Sequence, residues 1–274
     1  MTNQPPPGSE ATRSLIREHL RAAFETAAKR SQLSPASLKK YFLLSTPRTG
    51  STGLSYALEN AGLGLPFEWF NPAYMNEAAS VYGVQQMDMG TYCHLILVGT
   101  CNERTRAFGA KVHAGQYQQL LGRGFDLLSL GFDKIYYIER ADKLKQAYSL
   151  AKGAKSGFWT KETELRANFD PSSVAPVTPA EFAVALTQIT AECEYADRTF
   201  QNIIARTFSY DDITGPGLGP LVQSIASDLS ISEDVKVPEL STRRQSGERD
   251  DNNLRSILSY LSPDWQFAKS HDGL

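Results

Sequence analysis

The sequence predicts an α/β fold built on a parallel sheet, and two observations carry the prediction. Four short apolar runs, Tyr41 to Ser45, Phe108 to His113, Lys134 to Glu139 and Arg206 to Tyr210, each adjoin helical or turn-rich sequence. That alternation favours parallel strands joined by crossovers. The first run, Tyr41-Phe42-Leu43-Leu44-Ser45, breaks into Thr46-Pro47-Arg48-Thr49-Gly50-Ser51-Thr52 and then into a helical pattern, which reads as strand, loop and helix.

From the N-terminus, the Pro-rich head is expected to fray, and Thr12 to Arg30 reads as an amphipathic helix with Leu15, Leu20, Ala23, Phe24 and Ala27 on one side. Residues 1–40 are therefore expected to form an extension, and 41–274 a single domain. After the loop, Leu54, Leu58 and Ala61 give a helical stripe that Gly62 ends. Lys134 to Glu139 reads as a buried strand ending in charge, and Ala141 to Leu150 as a helix. Pro179 to Ile204 is the longest helical pattern, with Phe182, Leu186, Ile189, Cys193, Ala196 and Phe200 on its core face. Gly215 to Pro220 is a turn before a short helix carrying Leu221, Ile225 and Leu229. The polar stretch from Ser241 to Asn253 is expected to be mobile until ligand binds.

The loop has the chemistry of an anion site. Gly50 lets backbone amides close around an anion where a side chain would block approach, and the helix N-terminus behind it adds partial positive charge. Arg48 adds a permanent full charge, while Ser51 and Thr52 can cap the helix or donate to the same anion. A Walker A loop carries Gly-Lys-Ser/Thr after four spacer residues, so that lysine reaches the terminal phosphates and the hydroxyl holds magnesium. This loop has neither that lysine nor that spacing.

Composition narrows the class further. A formal charge of −2 argues against general nucleic-acid binding, which needs a basic face. No run approaches the ~18 apolar residues of a membrane span, and the first residues lack a signal-peptide pattern, so a cytoplasmic protein is expected. Cys93, Cys101 and Cys193 are an odd number and suit a reducing compartment. Cys93, His94, Cys101 and His113 match no zinc spacing, and no protein-bound metal is expected.

The Pro-Arg-Thr-Gly-Ser-Thr loop and the segment Gly64-Leu65-Pro66-Phe67-Glu68-Trp69-Phe70 together resemble the bacterial trehalose 2-sulfotransferase family. The resemblance implies a three-layer P-loop-type sulfotransferase fold with a mainly parallel central sheet flanked by helices. It also implies 3′-phosphoadenosine 5′-phosphosulfate as donor, adenosine 3′,5′-bisphosphate as product, a carbohydrate acceptor and a homodimer. In that family the glutamate matching Glu68 is the proposed base. An arginine at a strand end and a serine on the next helix bind the donor's 3′-phosphate, which maps onto Arg140 and Ser149. The fork of a guanidinium suits two phosphate oxygens and the hydroxyl a third. Gln146-Ala147-Tyr148-Ser149 followed by Gly157-Phe158-Trp159 is similar to family members. Phe108-Gly109-Ala110-Lys111-Val112-His113 resembles the family's Gly-Gly-Lys strand, with Ala110 in place of the second glycine, and implies that Lys111 neutralises charge near the transferred group. Arg243-Arg244-Gln245 resembles a further donor segment in which either arginine can contact the 3′-phosphate.

The expected reaction is in-line transfer of a sulfuryl group to a hydroxyl without a covalent enzyme intermediate. Arg48 with the amides of Thr49, Gly50 and Ser51 stabilises charge on the leaving phosphate, and Thr52 adds a hydroxyl. Glu68 accepts the proton, with a pKa expected to be moved toward neutral by Phe67, Trp69 and Phe70. Those aromatics and Trp159 are the candidate acceptor contacts, with core packing the competing role. A catalytically silent nucleotide-binding protein, a P-loop kinase-like phosphotransferase and a scaffolding protein are the alternatives.

Overall fold

Tyr41, Phe42, Leu43 and Leu44 have no exposed surface, as a strand covered on both faces requires. The computed structural model describes residues 8–170, 173–231 and 248–261. In it these four residues lie in β1 (Lys39–Ser45), which joins β2 (Ala107–His113), β3 (Lys134–Glu139) and β4 (Arg206–Ser209) in one sheet. The strand order is β2-β1-β3-β4 and every pairing is parallel. The helices are α1 (Ser9–Lys29), α2 (Ser51–Asn60), α3 (Pro72–Tyr82), α4 (Met89–Thr100), α5 (Ala114–Gly122), α6 (Lys143–Ser156), α7 (Lys161–Arg166), α8 (Pro179–Phe200), α9 (Tyr210–Thr214), α10 (Leu218–Asp228) and α11 (Glu248–Leu261).

The chain divides into two compact units, one of Arg13–Ala141 with Glu192–Ser241, the other of Met1–Thr12, Asp142–Ala191 and Thr242–Leu274. The first holds the sheet. Period-two alternation sends Phe42, Leu44, Phe108, Val112, Ile135 and Tyr137 to one face, where they pack with residues of α1, α4, α5 and the end of α8. Tyr41, Leu43, Ala107, Tyr136 and Ile138 go to the other face and pack with α2, α9 and α10. The result is three layers, helices on both sides of a parallel sheet. The stripe of α1 is buried as expected, with Ile16 added to it. α1 meets α4 at Gly99, where an added Cβ would run into the Ala23 carbonyl.

The order of strands sets the position of a site. From β1 the chain crosses to β2 on one side, and from β3 to β4 on the other, so the connections diverge between β1 and β3. The crevice beyond the carboxyl ends of strands at such a switch point is where open α/β sheets bind ligands.

In the second unit, α6 is capped by Asp142, which accepts from the Lys145 amide at 2.8 Å, and is ended by Gly157 in the left-handed region. Tyr148 on α6 donates to Asn253 Oδ1 at 2.9 Å, and Lys152 pairs with Asp250 at 2.8 Å, fastening α11 to α6.

Several expectations need correction. The polar stretch to Asn253 is helical from Glu248 onward, because Leu254 and Ile257, three apart, are buried and Asp250 and Asn253 are bonded. Residues 241–247 lie outside the described residues. α8 stops at Phe200, four residues short of Ile204. β4 stops at Ser209, whose hydroxyl accepts from the Asp212 amide at 3.1 Å and starts α9. α4 escaped a periodicity reading because its buried residues, Tyr92, Cys93, Leu95, Ile96, Leu97, Val98 and Thr100, crowd together without a 3.6-residue stripe.

Candidate active site

β1 ends at Ser45, and the chain turns through Thr46–Gly50 before α2 begins at Ser51. The Thr49 hydroxyl donates to the Thr46 carbonyl at 3.1 Å and braces the turn. Both Arg48 and Gly50 are left-handed, at φ 67° and 78°. For glycine that conformation is free, whereas for Arg48 it costs on the order of 1 kcal/mol, a strain that recurs at ligand-binding turns. An added Cβ at Gly50 would lie 3.1 Å from the Tyr210 ring. As N-cap, Gly50 has no side chain to occupy the first amides of α2, so that helix N-terminus keeps its donors for an anion.

Arg140 follows the end of β3, the neighbour of β1. Its Nη1 donates to the Arg48 carbonyl at 3.2 Å, and its guanidinium lies 4.3 Å from the centre of the Tyr210 ring. Two arginines, the loop and a helix N-terminus thus meet at the carboxyl ends of β1 and β3, where strand order places the crevice. Ser149 lies on α6 and Trp159 beyond its end, packed against Gly153, both in the other unit. Arg243 and Arg244 lie outside the described residues.

On the far side of β1, the segment Leu63–Phe70 runs along the open edge of β2, with the Lys111 amide donating to the Phe67 carbonyl at 3.0 Å. Ser55 of α2 holds the same segment by donating to the Pro66 carbonyl at 2.6 Å. Trp69 and Phe70 have no exposed surface and Phe67 keeps 7%, so these rings form packing beneath Glu68 and leave little face for a ligand. The Trp69 indole donates to the Leu65 carbonyl at 2.7 Å, and the Tyr92 hydroxyl donates to the Trp69 carbonyl.

The Glu68 carboxylate is held by four groups. Lys111 Nζ lies 3.0 Å and His113 Nε2 3.4 Å from Oε1. Gln116 Nε2 donates to Oε2 at 2.7 Å and Asn71 Nδ2 at 3.0 Å. An ionised carboxylate has about four acceptor positions, and here all are engaged. Lys111 is nearly buried and also donates to the Thr52 hydroxyl at 2.9 Å, so one ammonium touches both α2, which follows the loop, and Glu68. The register makes this possible: Leu43 pairs with Lys111 and Ser45 with His113, so both side chains emerge beside β1 on the α2 face.

This environment reverses the expected direction of the Glu68 pKa. Burial does push the carboxyl up, but the charges of Lys111 and His113 and the hydrogen bonds from His113 and Gln116 hold it well below its ordinary value. The aromatic neighbours were expected to raise it. They are buried in the core, while Lys111, His113, Gln116 and Asn71 contact its oxygens.

His113, Gln116, Asn71, Ser45 and Tyr210 were not among the expected site residues. Lys111 and His113, two apart on one strand, share a face, and that spacing was the available signal. Asn71 and Gln116 sit at helix starts and serve there as well: Asn71 Oδ1 accepts from the Ala73 amide at 2.9 Å and Gln116 Oε1 from the His113 amide at 3.0 Å.

A parallel sheet between two helical layers, with a glycine-bearing loop between its central strand and the next helix, defines an α/β protein of the P-loop sulfotransferase type. The family model described as Stf0 sulphotransferase matches residues 40–207, more than half of the chain, and the chain belongs to that family, the one of trehalose 2-sulfotransferase. No curated protein matches the chain. Among the described residues, no helix is long and apolar enough to cross a membrane, and no group of three or more His, Cys, Asp or Glu side chains is placed to hold a metal ion.

Proposed function

We propose that this protein transfers a sulfuryl group from 3′-phosphoadenosine 5′-phosphosulfate to a hydroxyl of a carbohydrate or other small acceptor, with Glu68 as general base. The observation that carries the reading is the double contact of Lys111, 2.9 Å from Thr52 and 3.0 Å from Glu68, which joins the helix after the anion loop to the carboxylate. When bound, the donor supplies an activated sulfuryl group and leaves as adenosine 3′,5′-bisphosphate.

The chain's own groups fit this role. Gly50, free of a Cβ, and the first amides of α2 with Arg48 are suited to the 5′-phosphosulfate, and Ser51 and Thr52 add hydroxyls. Arg140, fixed by the Arg48 carbonyl and the Tyr210 ring, is assigned the 3′-phosphate. Ser149, with Arg243 or Arg244, and Trp159 keep their assignments from the resemblance alone. So does the homodimer, while the cytoplasmic setting rests on the sequence reading alone.

For proton transfer, a carboxylate with a lowered pKa is ionised at neutral pH and ready to accept. It is a weak base toward a free alcohol, but the acceptor hydroxyl acidifies as its oxygen bonds to sulfur, so the transfer comes late. Both Glu68 oxygens are engaged, so an incoming hydroxyl must displace one donor. Lys111 is the donor whose same atom, Nζ, also reaches a second acceptor, Thr52, toward which it can turn. The proton then passes from the acceptor oxygen to Glu68 as the new sulfur–oxygen bond forms and the bond to the 5′-phosphate breaks.

The test is calorimetric titration with adenosine 3′,5′-bisphosphate on the wild type and on Arg140→Ala, followed by an acceptor screen with Glu68→Gln as control. Micromolar binding that weakens in Arg140→Ala, and transfer lost in Glu68→Gln, is the expected result. Absence of binding in both proteins sinks the reading.

A further inference from the structure

If Lys111 turns toward the loop, something else must keep Glu68 aimed. Gln116 and Asn71 hold only Oε2, which leaves Oε1 to His113. His113 is itself held: Ser45 Oγ lies 2.9 Å from its Nδ1. Ser45 is fully buried at the end of β1 and sits directly opposite His113 in the strand pairing. The ring therefore has one partner on each nitrogen, a hydroxyl at Nδ1 and a carboxylate at Nε2. In either protonation state Nε2–H points at Glu68 Oε1, while Ser45 Oγ donates to Nδ1 of a neutral ring or accepts from Nδ1–H of a charged one.

We propose that Ser45 and His113 are positioning residues for Glu68, a serine–histidine–carboxylate chain in which the hydroxyl is the anchor and the carboxylate is the working group. This inverts the hydrolase triad, where the carboxylate orients the ring and the hydroxyl reacts. Here the serine sits sealed in the sheet and Glu68 keeps 24% side-chain exposure, so only the carboxylate end is open to an acceptor. The proposal rests on the sulfotransferase reading for its catalytic consequence, but the chain itself can be tested without donor or acceptor. The groups facing the carboxylate are Lys111 and His113 from β2, Gln116 from α5 and Asn71 at the start of α3.

The experiment is a carbon-13 NMR titration of the Glu68 carboxyl, assigned with Glu68→Gln, in wild type, His113→Leu, His113→Gln and Ser45→Ala. It is paired with the pH dependence of sulfuryl transfer by the same proteins. In His113→Leu the Glu68 midpoint is expected to rise by about 1. Its kcat falls about 10²-fold with the donor KM unchanged within about two-fold, as for a misaimed catalytic group. His113→Gln, which keeps a neutral donor, recovers most of the rate, and Ser45→Ala gives a smaller rise of the midpoint in the same direction.

An unmoved Glu68 midpoint in folded His113→Leu overturns the proposal, and so does a rate loss that His113→Gln does not relieve. Should His113→Leu fail to fold, Ser45→Ala carries the test, and an unmoved midpoint there overturns it equally. A protein that binds no adenosine 3′,5′-bisphosphate would refute the sulfotransferase reading while the titration still decides the chain.

Discussion

The loop from Arg48 to Thr52 follows β1 and the cluster around Glu68 gathers at the end of β2, and the two are built in opposite ways. The loop works through the backbone: two left-handed residues, an N-cap without a side chain, and a helix N-terminus. Glu68 works through side chains, four donors brought from β2, α5 and the start of α3 onto two oxygens. The loop is a local conformation that a short motif can encode. The cluster is a convergence, and it exists only when the sheet has its register. Lys111 belongs to both, its ammonium touching Thr52 and Glu68 together.

The comparison is broken most severely by Glu68→Gln. Transfer is expected to fall about 10³-fold while the affinity for adenosine 3′,5′-bisphosphate changes less than about two-fold, because only one half is touched. Steady-state kinetics alongside calorimetry checks this, and a parallel loss of nucleotide affinity would show that the halves are not separable.

Lys111→Met strikes the shared residue. It leaves a largely enclosed carboxylate without its closest cation, and the protein is expected to lose about 3 kcal/mol of stability, read as a shifted urea midpoint at unchanged slope. A change under about 0.5 kcal/mol would mean that Glu68 is better solvated than its contacts indicate.

Arg140→Ala touches only the loop side. Its Kd for adenosine 3′,5′-bisphosphate is expected to rise about 30-fold by calorimetry, the loss of one charge-assisted, geometrically fixed contact. The Glu68 titration should not move.

Gly50→Ala sharpens the backbone half. A side chain at φ 78° against the Tyr210 ring is expected to destabilise by about 1 kcal/mol and to weaken nucleotide binding by a similar factor in free energy.

The smallest effect is in pH. Folding lowers the Glu68 pKa, so the stability it contributes is fully present above the unfolded value of about 4.3 and is lost as pH falls through the folded value. The stability difference between wild type and Glu68→Gln is expected to be flat from pH 8 to about 5 and to shrink below about 4. A difference that instead grows as pH falls from neutral would indicate a raised pKa.

Much of this molecule was readable from the chain alone. The strands at 41–45, 108–113 and 134–139 were legible because buried parallel strands are continuous apolar runs, and the anion loop because glycine and arginine in a strand-to-helix turn have few other uses. α4 was hidden because its buried residues crowd from Tyr92 to Thr100 without a single stripe, and α11 by a polar surround to the two apolar residues that seat it. Glu68 was legible as a residue but its environment was not: the flanking aromatics predicted a raised pKa, yet they are buried in the core while Lys111 and His113 contact its carboxylate.

The sequence by itself therefore determined the parallel α/β framework, the loop and the candidate base, since these rest on local conformation and on periodicity within one segment. Only the tertiary structure decided that Lys111 reaches both Thr52 and Glu68, that Ser45 meets His113, and that Gln116 and Asn71 share one oxygen. Those contacts depend on which strands are neighbours and in what register, and pairing between distant segments is set by how the whole sheet packs rather than by any residue's immediate neighbours.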